Sequence, residues 1–463
     1  MLAELAGDVR EGRVSSTELV ELAYERIARL NGDLNAVIAL RPEEEGIAEA
    51  EKRQASASDP DEPLPLLGLP LLVKDNTDVA GMRTTNGSLL LQDAAPAERD
   101  ARVVARLRDA GAIVVGKTNV PEFSFFGFTD NLVYGPTHNP WGVEWSPGGS
   151  SGGSGAALAS GMAPLATGTD GGGSVRIPAA LCGLVGLKPT NGLVGRWPIH
   201  SWMALSGDGP LATTVADLRL VLDVMRGPEY GDIGSAPVME PPDGRVARVV
   251  AAPRTLDWGP LPPAMDEQYR AALRSIERDL RLPVEEIEPS SIFTSGGDPG
   301  EDWFVLVAAE ELQAIGRERV VATMDQLSPR FRSYVEFALE VSVDRYVEAR
   351  RNRFAYARAM DELLGTDAVF VCPTLGHEGW LADGRLPGTD EPAGGDGYNT
   401  GEANISSHPA MSVPAGVSPN DIPFGLQVTG PRFRDDLLLA FAEEWEAANP
   451  WPLTAPGYDP FVP

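Results

Sequence analysis

The sequence has little of what several common chemistries need. Two cysteines in 463 residues, Cys182 and Cys372 in the apolar contexts AALCGLVG and AVFVCPT, argue against a disulfide scaffold and read as buried thiols. The four histidines, His138, His200, His377 and His408, are scattered without H-E-x-x-H or H-x-x-E-H spacing, and no C-x-x-C occurs, so no metal centre is expected. No G-x-G-x-x-G follows a strand-like run, so no cofactor is expected. Basic residues are scarce, 38 against 67 acidic ones, and a net charge of −29 repels phosphate backbones and anionic lipid surfaces. Apolar runs stay well short of the roughly 18 residues that a membrane span needs. The N-terminus, MLAELAGDVREG, lacks the basic start and apolar run of a signal peptide, so the expected location is the cytoplasm. Repeats of 20 to 50 residues and heptad runs are missing, which removes solenoids and coiled coils.

With 43% hydrophobic residues, the chain can bury a large core. Residues 15–30, SSTELVELAYERIARL, begin with a Ser15-to-Glu18 capping box and place Leu19, Leu22, Ala23, Ile27 and Leu30 on one helical face. After a Pro/Asp/Ser-rich link at 55–65, LPLLVKD reads as a strand that delivers Lys74 at its end. RDARVVARLRDAG reads as a helix closed by Gly111, and AIVVGKT as another strand. This alternation predicts an α/β fold, while length alone suggests two or three domains. Residues 265–365 are mostly helical in pattern, cap-like, and end at the strand-like DAVFVCPT. The Gly/Asp/Pro-rich segment 375–403 exceeds ordinary loop lengths and is expected on the substrate side.

Two generic motifs fail on context. GAIVVGKT at 111–118 fits G-x-x-x-x-G-K-[ST], yet its intervening residues belong in a strand and NVPEFSFF follows where a helix is required, so Lys117 is expected to be structural. Gly149-Ser150-Ser151-Gly152-Gly153 centres Ser151 in G-x-S-x-G, but the preceding THNPWGVEWSPGG is a poor strand for a nucleophile elbow. His200, His377 and His408 remain available as a base for that reading.

The dense feature is PGGSSGGSGAALASGMAPLATGTDGGGSVRIPAALCGLVGLKPT, residues 147–190. Glycines at this density let backbone N–H groups converge on one point, and serine hydroxyls beside such donors suggest acyl transfer. Amide hydrolysis needs a nucleophile, a base that later protonates the departing amine, and donors for the oxyanion. Ser174, after Gly171-Gly172-Gly173, suits the first and last of these.

The stretch resembles the signature of the amidase signature family. So do GLPLLVKDN at 68–76, GKTNVPEF at 116–123, YGPTHNPW at 134–141, SGDGPLATTVADL at 206–218, SHPAMSVPAG at 407–416 and FGLQVTGPRFRDDLLL at 424–439. The resemblance implies one domain over 1–463, a mixed central sheet wrapped by helices, and a serine hydrolase. It makes Ser174 the nucleophile, Ser150 a bridging serine after a cis peptide bond, and Lys74 the terminal base. It assigns the oxyanion to the amides of Gly171, Gly172, Gly173 and Ser174, with Asp170, Arg176 and Ser151 bracing the loop. Gly171 stands where Thr or Ile is frequent, which is expected to widen the pocket, and Asn191 stands where an aromatic residue is common. His138 lies at a variable position of GPT-x-NPW.

A lysine that acts as a neutral base near pH 8 must be depressed by roughly 2.4 units from about 10.4, and burial behind the apolar LPLLV run supplies the cause. The implied substrate is a small amide, with carbamate or ester as alternatives, cleaved by a monomer or homodimer without cofactor. A second alternative is an amidotransferase subunit that takes ammonia from glutamine. Trp202 and Met203 are candidates for the substrate pocket on aromatic and apolar character.

Overall fold

The computed structural model describes residues 1–56, 64–199, 201–238, 244–389 and 398–463. Eleven strands are described: β1 (Val37–Leu40), β2 (Pro70–Lys74), β3 (Ile113–Thr118), β4 (Leu165–Asp170), β5 (Val185–Lys188), β6 (Gly207–Ala212), β7 (Arg248–Ala251), β8 (Val284–Glu286), β9 (Ala368–Pro373), β10 (Ala410–Val417) and β11 (Pro423–Thr429). They form one sheet in the order β1-β3-β2-β4-β6-β5-β10-β11-β9-β7-β8. The sheet is mixed. β2 runs parallel to both β3 and β4, β7 runs parallel to β8 and β9, and the remaining pairs are antiparallel.

Central strands are buried end to end and read as apolar runs, as strands covered on both faces must. The helix Ser16–Leu34 starts as its sequence predicts: Ser15 Oγ accepts from the Glu18 N–H (3.1 Å), and Glu18 Oε2 accepts from the Ser15 N–H (2.7 Å). The helix Arg102–Asp109 is followed by Gly111 at φ +104°, which lets the chain turn directly into β3. GAIVVGKT is strand, and Lys117 Nζ is held by Asp75 Oδ1 (2.9 Å) and the Arg83 carbonyl (2.9 Å), so it is a structural lysine.

Between 263 and 364 the chain is mostly helical, and β8 adds a parallel edge strand that the helical pattern did not announce. Two of these helices, Pro299–Ile315 and Val343–Leu364, pack on each other, and the former closes over the end of β4. Of the 375–403 segment, residues 390–397 lie outside the described residues. What precedes and follows is anchored by bridges from Trp145 to Leu381 and from Leu375 to Tyr398 and by the buried Trp380.

Candidate active site

The apolar side chains of β2 carry Lys74 into the interior, where it has no solvent exposure. Its Nζ donates to Ser150 Oγ (2.8 Å) and to Thr169 Oγ1 (2.8 Å), and its backbone N–H donates to Thr167 Oγ1 (2.9 Å). Burial pulls the Lys74 ammonium down to about 7, against the opposing pull of Asp170 and Asp208. Lys117 and Lys188 are buried too, but their amines go to Asp75 and to Asn191 Oδ1 (2.7 Å). Lys74 alone of the three donates to a serine hydroxyl.

The Gly149–Ser150 peptide bond is cis. Ser150 and Ser174 line one cavity of about 940 Å³ together with Asn76, Thr169 and Gly171. Ser151 does not line it. Its N–H donates to the Ser174 carbonyl (3.1 Å) and its hydroxyl pairs with the Thr169 backbone (3.4 Å), so the serine that G-x-S-x-G selects ties two loops together.

The loop from Asp170 to Val175 is wired from within. Arg176, fully buried, forms a fork with Asp170 (Nε to Oδ2 3.0 Å, Nη2 to Oδ1 2.8 Å) and also donates to the Thr400 carbonyl, Gln427 Oε1 and Asn404 Oδ1 (2.8, 2.7 and 2.6 Å). Burial would raise the Asp170 carboxyl, but Arg176, Lys188 and Asn404 outweigh it and hold the group well below the usual carboxylate range.

The Gly173 N–H is donated to Asp170 Oδ1 (2.8 Å), whereas the amides of Gly171, Gly172 and Ser174 have no acceptor among the described residues. Gly171 does not widen the cavity: a Cβ there would run into the Trp202 ring, and Trp303 packs over Gly172 in the same way while donating from Nε1 to the Gly171 carbonyl (2.7 Å). None of the described residues in 375–403 lines the cavity. Instead Thr400 supports the loop, its hydroxyl donating to the Gly172 carbonyl (2.6 Å).

Trp202 and Met203 both line the cavity. The wall opposite comes from the helix Pro299–Ile315, whose Glu310 accepts the Met203 N–H (2.6 Å) and whose Glu311 accepts the Ser201 hydroxyl. Burial pushes Glu311 up to about 7, moderated by Ser201 and by Trp202. Asn191 fastens the same loop by donating to the Ala204 carbonyl (2.8 Å). His138, His377 and His408 lie away from the cavity, with His408 Nε2 beside Asp361 (3.2 Å), and His200 lies outside the described residues. Among the described residues no cluster of His, Cys, Asp and Glu could hold a metal. No helix of the described residues is long and apolar enough to cross a membrane.

The amidase family model matches residues 18–439. The chain belongs to the amidase signature family. This amidase is 35% identical to the acylamidase of Rhodococcus erythropolis over 97% of its own length and 95% of that protein. It is 34% identical to a glutamyl-tRNA(Gln) amidotransferase subunit from Chromohalobacter salexigens, covering 99% and 98% of the two chains. Among solved structures, a bacterial aryl acylamidase of the family superposes with a TM-score of 0.86 at 26% identity, covering 97% and 96%.

The tight seat of Trp202 on Gly171 makes a prediction for the amidase. Gly171→Ala should lower kcat/KM at least about tenfold and cost about 1–3 kcal/mol of stability by overpacking. Trp202→Leu in that background should recover part of both, measured by kinetics and thermal unfolding.

Proposed function

We propose that the protein hydrolyses a small carboxylic amide to acid and amine through an acyl-enzyme on Ser174. Neutral Lys74 takes the Ser150 proton while Ser150 takes the Ser174 proton, and Ser174 Oγ attacks the carbonyl carbon. The oxyanion is received by the amides of Gly171, Gly172 and Ser174. Ser150 then delivers a proton to the departing nitrogen and is reprotonated by Lys74, and water releases the acid by the same relay in reverse. The observation that carries the reading is the 2.8 Å hydrogen bond between a lysine drawn down to about 7 and a serine hydroxyl in the cavity that Ser174 also lines.

Intact-mass measurement after a serine-directed fluorophosphonate tests it. One adduct is expected, mapping to the Ser174 peptide and lost in Ser174→Ala. An adduct on Ser151 overturns the assignment. Matched anilide, carbamate and ester substrates rank the scissile bond, with the amide expected first. Resemblance to an amidotransferase subunit puts glutamine in the same panel, and glutamine turnover exceeding that of every amide would replace this reading.

A further inference from the structure

The relay described above ends at Lys74, and an ammonium formed there in a dry interior needs a counter-charge. Asp170 faces the lysine but is committed to Arg176 on both oxygens and to the Gly173, Val175 and Asn404 N–H groups. The other acid that faces it is Asp208 on β6.

The sheet register puts Asp208 there. β4 and β6 are antiparallel, with Thr169 directly opposite Asp208, so the two side chains share a face of the sheet. Thr169 Oγ1 is the atom 2.8 Å from Lys74 Nζ, and it also accepts from Asn76 Nδ2 (2.9 Å). Asn76, Thr169 and Asp208 all line the catalytic cavity. Asp208 is buried, yet among the described residues no side chain hydrogen-bonds or ion-pairs with its carboxylate. Its oxygens are not among the enclosed polar atoms left without a partner; the residue lines the cavity, so its charge is committed to no donor and is available to the lysine.

We propose that Asp208 is a positioning residue that acts through Lys74: its carboxylate stabilises the lysine ammonium formed when Ser150 gives up its proton, as the acid of a Ser-His-Asp triad stabilises the imidazolium. The proton moves from Ser150 Oγ to Lys74 Nζ and stays there until it returns through Ser150, and Asp208 remains ionised throughout. This inference rests on the Lys74 reading and deepens it.

The charged groups around the pair fix the sign. Lys74 faces Asp170 on β4 and Asp208 on β6. Asp208, pushed by burial up to about 6, faces Arg196 after β5, Lys74 on β2, Arg106 on the helix Arg102–Asp109, and the like charge of Asp232. Removing the Asp208 charge therefore disfavours the Lys74 ammonium, lowers the lysine pKa, and extends the neutral base to lower pH.

The experiment is the pH profile of kcat/KM for wild type, Asp208→Asn and Asp208→Glu, with unfolding monitored in parallel. In Asp208→Asn the acid-side midpoint should move down by at least about 0.5 pH unit, and kcat on the alkaline plateau should fall at least about tenfold with KM little changed. In Asp208→Glu, which keeps the charge, the midpoint should stay near wild type. Wild type should steepen toward a slope of two below about pH 6, where the pair takes up its second proton, while Asp208→Asn should keep a slope of one. An unmoved midpoint in a folded Asp208→Asn, or a change confined to KM, overturns the proposal. Failure of the Lys74 reading is separate and shows in Lys74→Ala retaining activity.

Discussion

On the proposed relay, Lys74→Ala should lower kcat by at least about 10³-fold, because the variant loses the base that takes the proton passed on by Ser150. Arginine should not rescue it, since a guanidinium does not deprotonate at accessible pH. Single replacements of His377 and His408 should change kcat by no more than a few-fold, which separates a lysine-based relay from a histidine-based one. On that relay the same lysine sets the acid limb of the rate profile: with the ammonium drawn down to about 7, kcat/KM should rise through that pH and level off above it.

Removing the amine should move stability the opposite way to activity. The folded protein disfavours the ammonium, so the unfolded chain binds more protons between about 7 and the ordinary lysine value near 10.4. The penalty is complete below about 7 and fades as pH rises toward 10.4. Lys74→Met, close in volume and uncharged, should accordingly unfold at higher temperature than wild type at pH 7 while being inactive. A less stable Lys74→Met would mean that the hydrogen bonds to Ser150 and Thr169 outweigh the desolvation of the amine.

What the sequence revealed was local chemistry. LPLLVKD announces a buried strand with a lysine at its tip, and Ser15 with Glu18 announces a helix start, because propensity, patterning and capping act over a few residues. The Gly173 amide was legible in principle, since an aspartate three residues earlier is the ordinary side-chain acceptor for such an N–H. The partners from distant segments were not. Trp303 reaches the Gly171 carbonyl across 132 positions, Thr400 reaches Gly172 across 228, and Asp208 faces Lys74 only through the β4–β6 register. A one-residue slip of that register would turn Asp208 to the opposite face, and nothing in SGDGP specifies it. In the 375–403 segment Gly, Asp and Pro mark a long loop but not which site it serves; residues 390–397 lie outside the described residues, and Thr400 braces the loop from Asp170 to Val175 through the Gly172 carbonyl.

That bracing concentrates the largest stability effect at Arg176. Its fork holds Asp170, Asp170 holds the Gly173 and Val175 amides, and its remaining donors tie the loop to Thr400, Asn404 and Gln427. Arg176→Met leaves the Asp170 charge buried without its guanidinium and should cost about 3–5 kcal/mol, read as a lower urea midpoint. Arg176→Lys should recover little, because a single ammonium cannot span both carboxylate oxygens and three further acceptors. Asp170 is held well below its unfolded value near 3.9, so in wild type its contribution is full above that value and is lost only as pH falls through the lower folded value. In Arg176→Met burial raises the Asp170 carboxyl with its main counter-charge gone, so the stabilisation present above about 3.9 shrinks and acidification should cost the variant less than it costs wild type. If Arg176→Met instead unfolds at the wild-type urea midpoint, the loop is held by the packing of Trp202 and Trp303 on its glycines and the ion pair is dispensable for stability.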